Sequence, residues 1–296
     1  MTTSSETVVK SANDSPAEGG NTHYVKGVGH IPRDIYKYVK SNPLGDMPRY
    51  SIHIVIQHLV VFLTFLVLAA TGLPLHFGDL FWAPLILSPF GGPDSARVIH
   101  WTAAFIMVTA SVYHLGTIIL GTLYKVQNKK FHLLHTQIPT LKDLQDIKHD
   151  IRYFLGKERY RPEMGKFMYK QKLHYLAIIW GTCVLVVAGS TLLFPETMSN
   201  FWPNPRFAQD LARLMHADEA IMAAAVIVFW HWSNVHLVPG RFPFQWTVLT
   251  GKITREHQIE EHFLEYVDNL KEMPAEREYL RSVMKEKGYM TEGGER

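Results

Sequence analysis

Several histidines lie inside hydrophobic stretches of this chain, and four of them form two pairs of nearly equal spacing. His100 and His114 are 14 residues apart on one stretch, and His216 and His231 are 15 apart on another. On an α-helix, 14 or 15 steps of about 100° return a side chain to nearly the same face, ~21–23 Å further along the axis. Imidazole nitrogens repeated at two depths on two helices are the pattern of two metal centres stacked through a bilayer. Ionisable groups in lipid are functional candidates by default. Two neutral imidazoles fill both axial positions of a haem iron, which leaves a centre that carries electrons and binds oxygen poorly. The histidines therefore predict two b-type haems, with three as the upper count.

The remaining composition leaves histidine as the main ligand pool. The chain has 296 residues, 16 His and one Cys, Cys183. A single thiol excludes an internal disulfide, an iron–sulfur cluster held by this chain's own cysteines, and the C-x-x-C-H attachment of c-type haem. Mean hydropathy is near zero because polar and apolar residues are segregated. Four stretches lack Asp, Glu, Lys and Arg: those between Arg49 and Asp79, Arg97 and Lys125, Lys172 and Glu196, and Glu219 and Arg241. Each is long enough for the ~20 residues that cross a bilayer. They predict an all-α, integral membrane four-helix bundle with spans over about 51–75, 96–123, 171–194 and 211–238. No span interior is expected to hold a carboxylate. None resembles a cleaved signal peptide, since the first follows a long polar lead.

Orientation follows from Lys and Arg. Of 30, 27 lie before the first span, in the 124–170 loop and its junction with the third span, or after residue 240. The positive-inside rule then places both termini and the central loop in the cytoplasm. The expected organisation is a cytoplasmic N-terminal segment (1–48), a transmembrane haem-binding domain (49–240) with a cytoplasmic loop (124–170), and a cytoplasmic tail (241–296). The expected location is the cytoplasmic (inner) membrane of a bacterium or archaeon, crossed several times. A net charge of +3 makes no case for nucleic acid. Residues 1 to about 25 read as disordered from their Ser, Thr, Gly and Asn content. The Ile35, Tyr36, Tyr38, Val39 cluster reads either as a membrane-surface segment or as a linker. Leu141, Leu144, Ile147, Ile151 and Phe154 predict an amphipathic helix facing the membrane surface or a partner.

Depth sorts the histidines. His100 and His216 fall near the outer face and pair as ligands of one haem. His231 falls near the inner face, and either His58 or His114 completes that centre. His53 and His174 fall at the interface. Gly72, Gly116, Gly181 and Gly189 leave room for a macrocycle, or simply allow close helix packing.

These residues resemble the cytochrome b (gamma) subunit family of respiratory formate dehydrogenases and nickel–iron hydrogenases, the cytochrome b561-like membrane subunits. The matching signatures are Arg49-Tyr50-Ser51, Gln57-His58, Thr71-Gly72-Leu73-Pro74 and Arg97-Val98-Ile99-His100. They continue through Tyr169 to His174, Trp180-Gly181, His216-x-x-Glu219-Ala220, His231-Trp232-Ser233-Asn234-Val235-His236, Phe242-Pro243-Phe244 and Thr250-Gly251. The resemblance implies a four-helix bundle whose axial ligands come from the first, second and fourth helices: His58, His100, His216 and His231. Two departures stand out. The fourth-helix spacing is one residue longer than the family pattern, and His114 is an extra candidate.

The resemblance also implies quinone as substrate, with Lys172, His174, Asn234 and His236 at the depth of such a site. Asn and His can hydrogen-bond quinone carbonyls, and His exchanges protons near neutral pH. The expected function is an electron-transfer subunit of a membrane oxidoreductase complex. It would pass electrons between the membrane quinone and a partner subunit carrying iron–sulfur clusters or several c haems. Two rival readings are a His-rich membrane metal-ion transporter and a haem-bearing structural anchor without quinone chemistry.

Overall fold

The computed structural model describes residues 22–25, 28–39, 45–129, 131, 133, 136–238 and 242–290. In chain order these form a hairpin of β1 (Thr22–Val25) and β2 (Gly29–Pro32), then β3 (Met47–Pro48). Helices follow: α1 (Ile52–His76), α2 (Ala83–Leu87), α3 (Pro93–Gln127), α4 (Leu141–Phe154), α5 (Tyr169–Leu193) and α6 (Pro195–Ser199). Next come α7 (Pro205–Ala225), a π-helical segment (Val226–Trp232), α8 (Ser233–His236), α9 (Thr247–Thr250) and β4 (Lys252–Ile253). The chain finishes with α10 (Arg255–Glu261), α11 (Phe263–Glu272) and α12 (Pro274–Glu286). The protein is mostly helical, and its contacts divide it into two units, 47–253 and 1–46 with 254–296.

In the larger unit, α1, α3 and α5 are long and apolar enough to cross a bilayer. Their burial pattern is inverted. Large apolar side chains such as Leu63, Phe105, Ile119 and Val187 are exposed, whereas Thr64, Thr71 and Thr191 are buried. Each buried threonine returns its hydroxyl proton to a carbonyl one turn back, at 2.7–2.8 Å. That is how a helix in lipid keeps polar groups satisfied. The protein is on these grounds an integral membrane protein. Helix α1 packs on α3, α5 on α7, and α1 also on α7.

Helix ends follow local chemistry. Pro93 and Pro195 occupy first-turn positions, where the missing N–H costs nothing. Asn204 caps α7 by accepting from Phe207 N at 3.2 Å. The helical run from Pro205 to His236 therefore starts six residues before the Leu211 expected from charge alone, and its turn widens to π between Val226 and Trp232. Helix α1 continues through Pro74 to His76. At the other end of the unit, Gly251, at φ 69°, turns so that its carbonyl accepts from both Arg49 N and Tyr50 N at 2.9 Å. A Cβ there would strike the Tyr50 carbonyl, which explains why Arg49-Tyr50 and Thr250-Gly251 occur together in one chain.

The smaller unit has its own core. Ile31, Ile35 and Val39 are buried with Ile259, Phe263, Tyr266, Leu270 and Leu280. Ile35 and Val39 are thus part of a packed interior, while Tyr38 of the same cluster is exposed. The N-terminal stretch expected to be disordered includes β1 at residues 22–25, while residues 1–21 lie outside the described residues. Arg255 pairs with Glu276 in this core, and Tyr266 donates to the same carboxylate at 2.8 Å.

Candidate functional site

The antiparallel run of α1, α3, α5 and α7 brings its histidines together at two levels. At the first, His100 of α3 faces His216 of α7, with ring centroids 6.3 Å apart and planes at 73°. Both rings rest on glycine. A Cβ on Gly72 of α1 would lie 2.8 Å from His100 Cε1, and one on Gly189 of α5 would lie 3.1 Å from His216 Cε1. A larger residue at position 72 would force the His100 ring to shift, and one at position 189 would crowd His216 by a few tenths of an ångström.

Thr71 sets the chemistry of His100. Its Oγ1 donates to Val67 O at 2.7 Å and lies 3.0 Å from His100 Nδ1. A hydroxyl whose proton is committed to the backbone can only accept here, so Nδ1 carries the proton. Nε2 keeps its lone pair free. Fixing one ring nitrogen to present the other is the usual support of a metal-ligating histidine. The adjacent Thr71-Gly72 pair therefore serves one ring, by orienting it and by making room for it.

At the second level, His58 of α1 faces His231 of the π segment, with centroids 6.4 Å apart and planes at 33°. Two imidazoles sharing one metal at ~2 Å per bond place their ring centres roughly 6 Å apart. Both pairs match that separation. His174 of α5 stacks on His231 at 5.0 Å and 16°, and its Nε2 is buried without a hydrogen-bond partner. The π segment begins ten residues after His216, includes His231, and takes up the extra residue of their 15-residue spacing. Such bulges insert one residue into an α-helix and recur at functional sites.

His114 is differently employed. Its Nδ1 lies 2.7 Å from Gln57 Oε1 and its Nε2 lies 3.0 Å from Tyr175 OH. An amide oxygen only accepts, so Nδ1 donates and Nε2 accepts from the phenol. No lone pair is left over. Gln57 reaches on to His53 at 2.6 Å, making a polar chain across α1, α3 and α5.

The four residues expected near a quinone are not brought into one cluster. Lys172 is buried in an ion pair with Asp143 of α4 at 3.0 Å. His236 accepts from Gln245 N at 3.0 Å and stacks on Phe244 at 4.5 Å. Exposed Asn234 donates to Trp230 O at 2.7 Å. His174 stacks directly on a member of a histidine pair, and His236 lies within electrostatic reach of both His58 and His231.

One expectation is corrected. Glu219 lies inside α7, a single turn beyond His216, so the fourth helix does contain a carboxylate. Its side chain occupies the space that Gly181 leaves on α5, where a Cβ would collide with Oε1. The sequence carried this signal in Trp180-Gly181 and His216-x-x-Glu219, but only the packing shows that these two motifs meet.

The fold and these two levels define a helical membrane protein with facing imidazole pairs at two depths. No family model matches the chain. It is 21% identical over 196 residues to the cytochrome b556(Fdn) subunit of the nitrate-inducible formate dehydrogenase of Escherichia coli strain K12, a match covering 64% of this chain and 81% of that subunit. The counterparts from Escherichia coli O157:H7 and Shigella flexneri are similar to the same extent.

Proposed function

We propose that this chain is a membrane cytochrome b holding two b-type haems, one between His100 and His216 and the other between His58 and His231. The observation that carries this reading is the near-equal separation of the two pairs, 6.3 and 6.4 Å. The glycine seats under His100 and His216, the Thr71 contact and the likeness to a cytochrome b556 subunit all support it. Haem supplies one-electron redox chemistry at each level. The protein's own part is to hold four imidazoles in neutral form with the coordinating nitrogen directed between helices. His114, with both nitrogens committed, is left to join α1, α3 and α5.

In this reading the run Pro205–His236 is the fourth span and completes a four-helix bundle. The distribution of Lys and Arg puts both termini and the 124–170 loop on the cytoplasmic side. Electrons pass between a partner redox subunit, carrying iron–sulfur clusters or several c haems, and quinone in the membrane. His174 is the group suited to exchange a proton with a quinone oxygen, since Nε2 is free and the ring stacks on a proposed ligand. Of the other quinone-site candidates, Lys172 pairs with Asp143, Asn234 donates to Trp230 O, and His236 accepts from Gln245 N.

A zinc transporter fits less well. Zinc sites gather three or four ligands, and the described grouping of three, His257, Glu261 and His262, lies outside the long apolar helices. A reduced-minus-oxidised visible spectrum of the purified protein tests the reading. Low-spin b-haem bands at two haems per chain, reducible by quinol, are expected. A colourless protein overturns haem binding, and haems that quinol cannot reduce overturn the quinone assignment.

A further inference from the structure

Helix α4 is amphipathic in an unusual sense. Its carboxylates face inward and its large apolar residues face outward. Asp143, Asp146 and Asp150 are buried, Asp150 to 1% exposure, while Leu141 is 79% and Phe154 68% exposed, with Leu144 and Ile151 exposed between them. The inward face is tied down by charge. Asp143 accepts from Lys172 at 3.0 Å and from Thr140 N at 2.6 Å. Asp146 takes Lys142 at 2.6 Å. Asp150 receives Arg161 at 3.0 and 3.1 Å and Tyr169 at 2.8 Å. Burial alone would raise the carboxyl pKa of Asp143 and Asp150, but these hydrogen bonds and neighbouring cations hold both below the usual range.

At about 100° per residue, three arcs run around α4. The carboxylates occupy one. Leu144, Ile147, Ile151 and Leu155 occupy a second, centred roughly a third of a turn away. Lys148, Arg152 and Gln145 continue beyond it. A helix clamped sideways to a span, with its apolar arc on one flank and cations beside that arc, has the layout of a helix lying in the bilayer interface. A cavity of about 700 Å³ opens beside it, lined by Leu133, Leu141, Leu144, Ile147, Tyr169 and Leu173 among others. Residues 124–172 carry 12 Lys and Arg against 5 Asp and Glu, and the segment joins the ends of two helices long enough to cross the bilayer.

We infer that α4 is an interfacial lipid-binding helix. Its Leu144–Ile151 arc dips into the acyl region, a phospholipid chain fills the cavity, and Lys148 takes anionic headgroups beside Arg152, whose Nε pairs with Glu158 at 2.9 Å and whose other guanidinium nitrogens face the same headgroup region. This rests on the reading that α3 and α5 cross the bilayer. The test uses the full chain in nanodiscs containing anionic phospholipid brominated in its acyl chains. Cys183, the exposed free thiol, is first replaced (Cys183→Ser). A fluorescent label is then attached at Leu144→Cys, Ile151→Cys, Gln145→Cys or, as the span control, Ile119→Cys.

Quenching at positions 144 and 151 is expected to exceed that at 145 by about twofold or more. If 119 is quenched while 144 and 151 are no drier than 145, the inference falls and the bilayer reading stands, with a protein partner the next occupant to try. If 119 is also unquenched, both fall. Changing to zwitterionic lipid should weaken quenching at 144; unchanged quenching overturns the headgroup assignment.

Discussion

The two histidine levels are built by different means. At the first, each ring rests against a glycine and His100 is pinned by Thr71. At the second, a third imidazole, His174, lies against His231 and keeps an uncommitted nitrogen. The first level rests on the glycines of α1 and α5, and His216 Nδ1 there is also buried without a hydrogen-bond partner. The second carries an additional imidazole two residues from Lys172, which pairs with Asp143 of α4. On the proposed reading, electrons use both levels, and the additional imidazole suits the second to move protons.

The largest effects should come from removing ligands one level at a time. His100→Ala is expected to halve the haem-to-protein ratio and leave the other centre's bands in place. His58→Ala should do the same for the second level, whereas His114→Ala should leave both, costing about 1–3 kcal/mol of stability through its broken polar chain. Loss of absorbance in His114→Ala, with His58→Ala intact, would reverse the assignment of the second pair. Next in size is Gly72→Val. It drives a side chain into the His100 ring and should cost about 1–3 kcal/mol by thermal melting. First-level haem should drop in parallel while the second level is spared. Equal loss at both would mean that the levels are not independent.

Acid should separate the levels in the opposite sense. Asp143 and Asp150 have depressed pKa values, so the stability they contribute is present above the usual carboxylate range near pH 4 and is lost as pH falls through their lowered values. Protonation releases Lys172 and Tyr169 at the start of α5. The second-level bands should therefore broaden first in an acid titration followed by absorbance. The smallest change is expected from Thr71→Val. Loss of the Nδ1 acceptor makes His100 a weaker donor to iron, and the first-level midpoint potential should rise by on the order of tens of millivolts. An identical shift at both levels would remove the distinction.

Much of this was readable in advance. The charge-free stretches fall on α1, α3 and α5 because a bilayer imposes a length and a polarity that few other settings do. The His100–His216 pairing also followed from depth. The start of α7 was missed because Arg206, Asp210 and Arg213 broke the charge-free criterion, although Asn204-Pro205 is a helix-start signal in its own right. The smaller unit was hidden for another reason. Ile35 and Val39 lie more than 200 residues from Ile259, Phe263 and Leu270, and each group alone is too short to announce a core. The resemblance already favoured His58 over His114; what it did not carry is the pair of partners that occupy both His114 nitrogens, Gln57 and Tyr175, residues that no spacing rule connects. The inward carboxylates of α4 ran against the expectation that charge faces water, because Lys172, Arg161 and Tyr169 arrive from later in the chain.

The π segment Val226–Trp232 sets the phase of everything after it. Removing one residue from this stretch would let the helix relax to regular winding and leave a 14-residue spacing, with His231 still on its face. Adding one would swing His231 by about 100° about the axis. The chain can thus exchange side chains along this turn, and can lose one, but it cannot gain one without turning a proposed ligand towards the lipid.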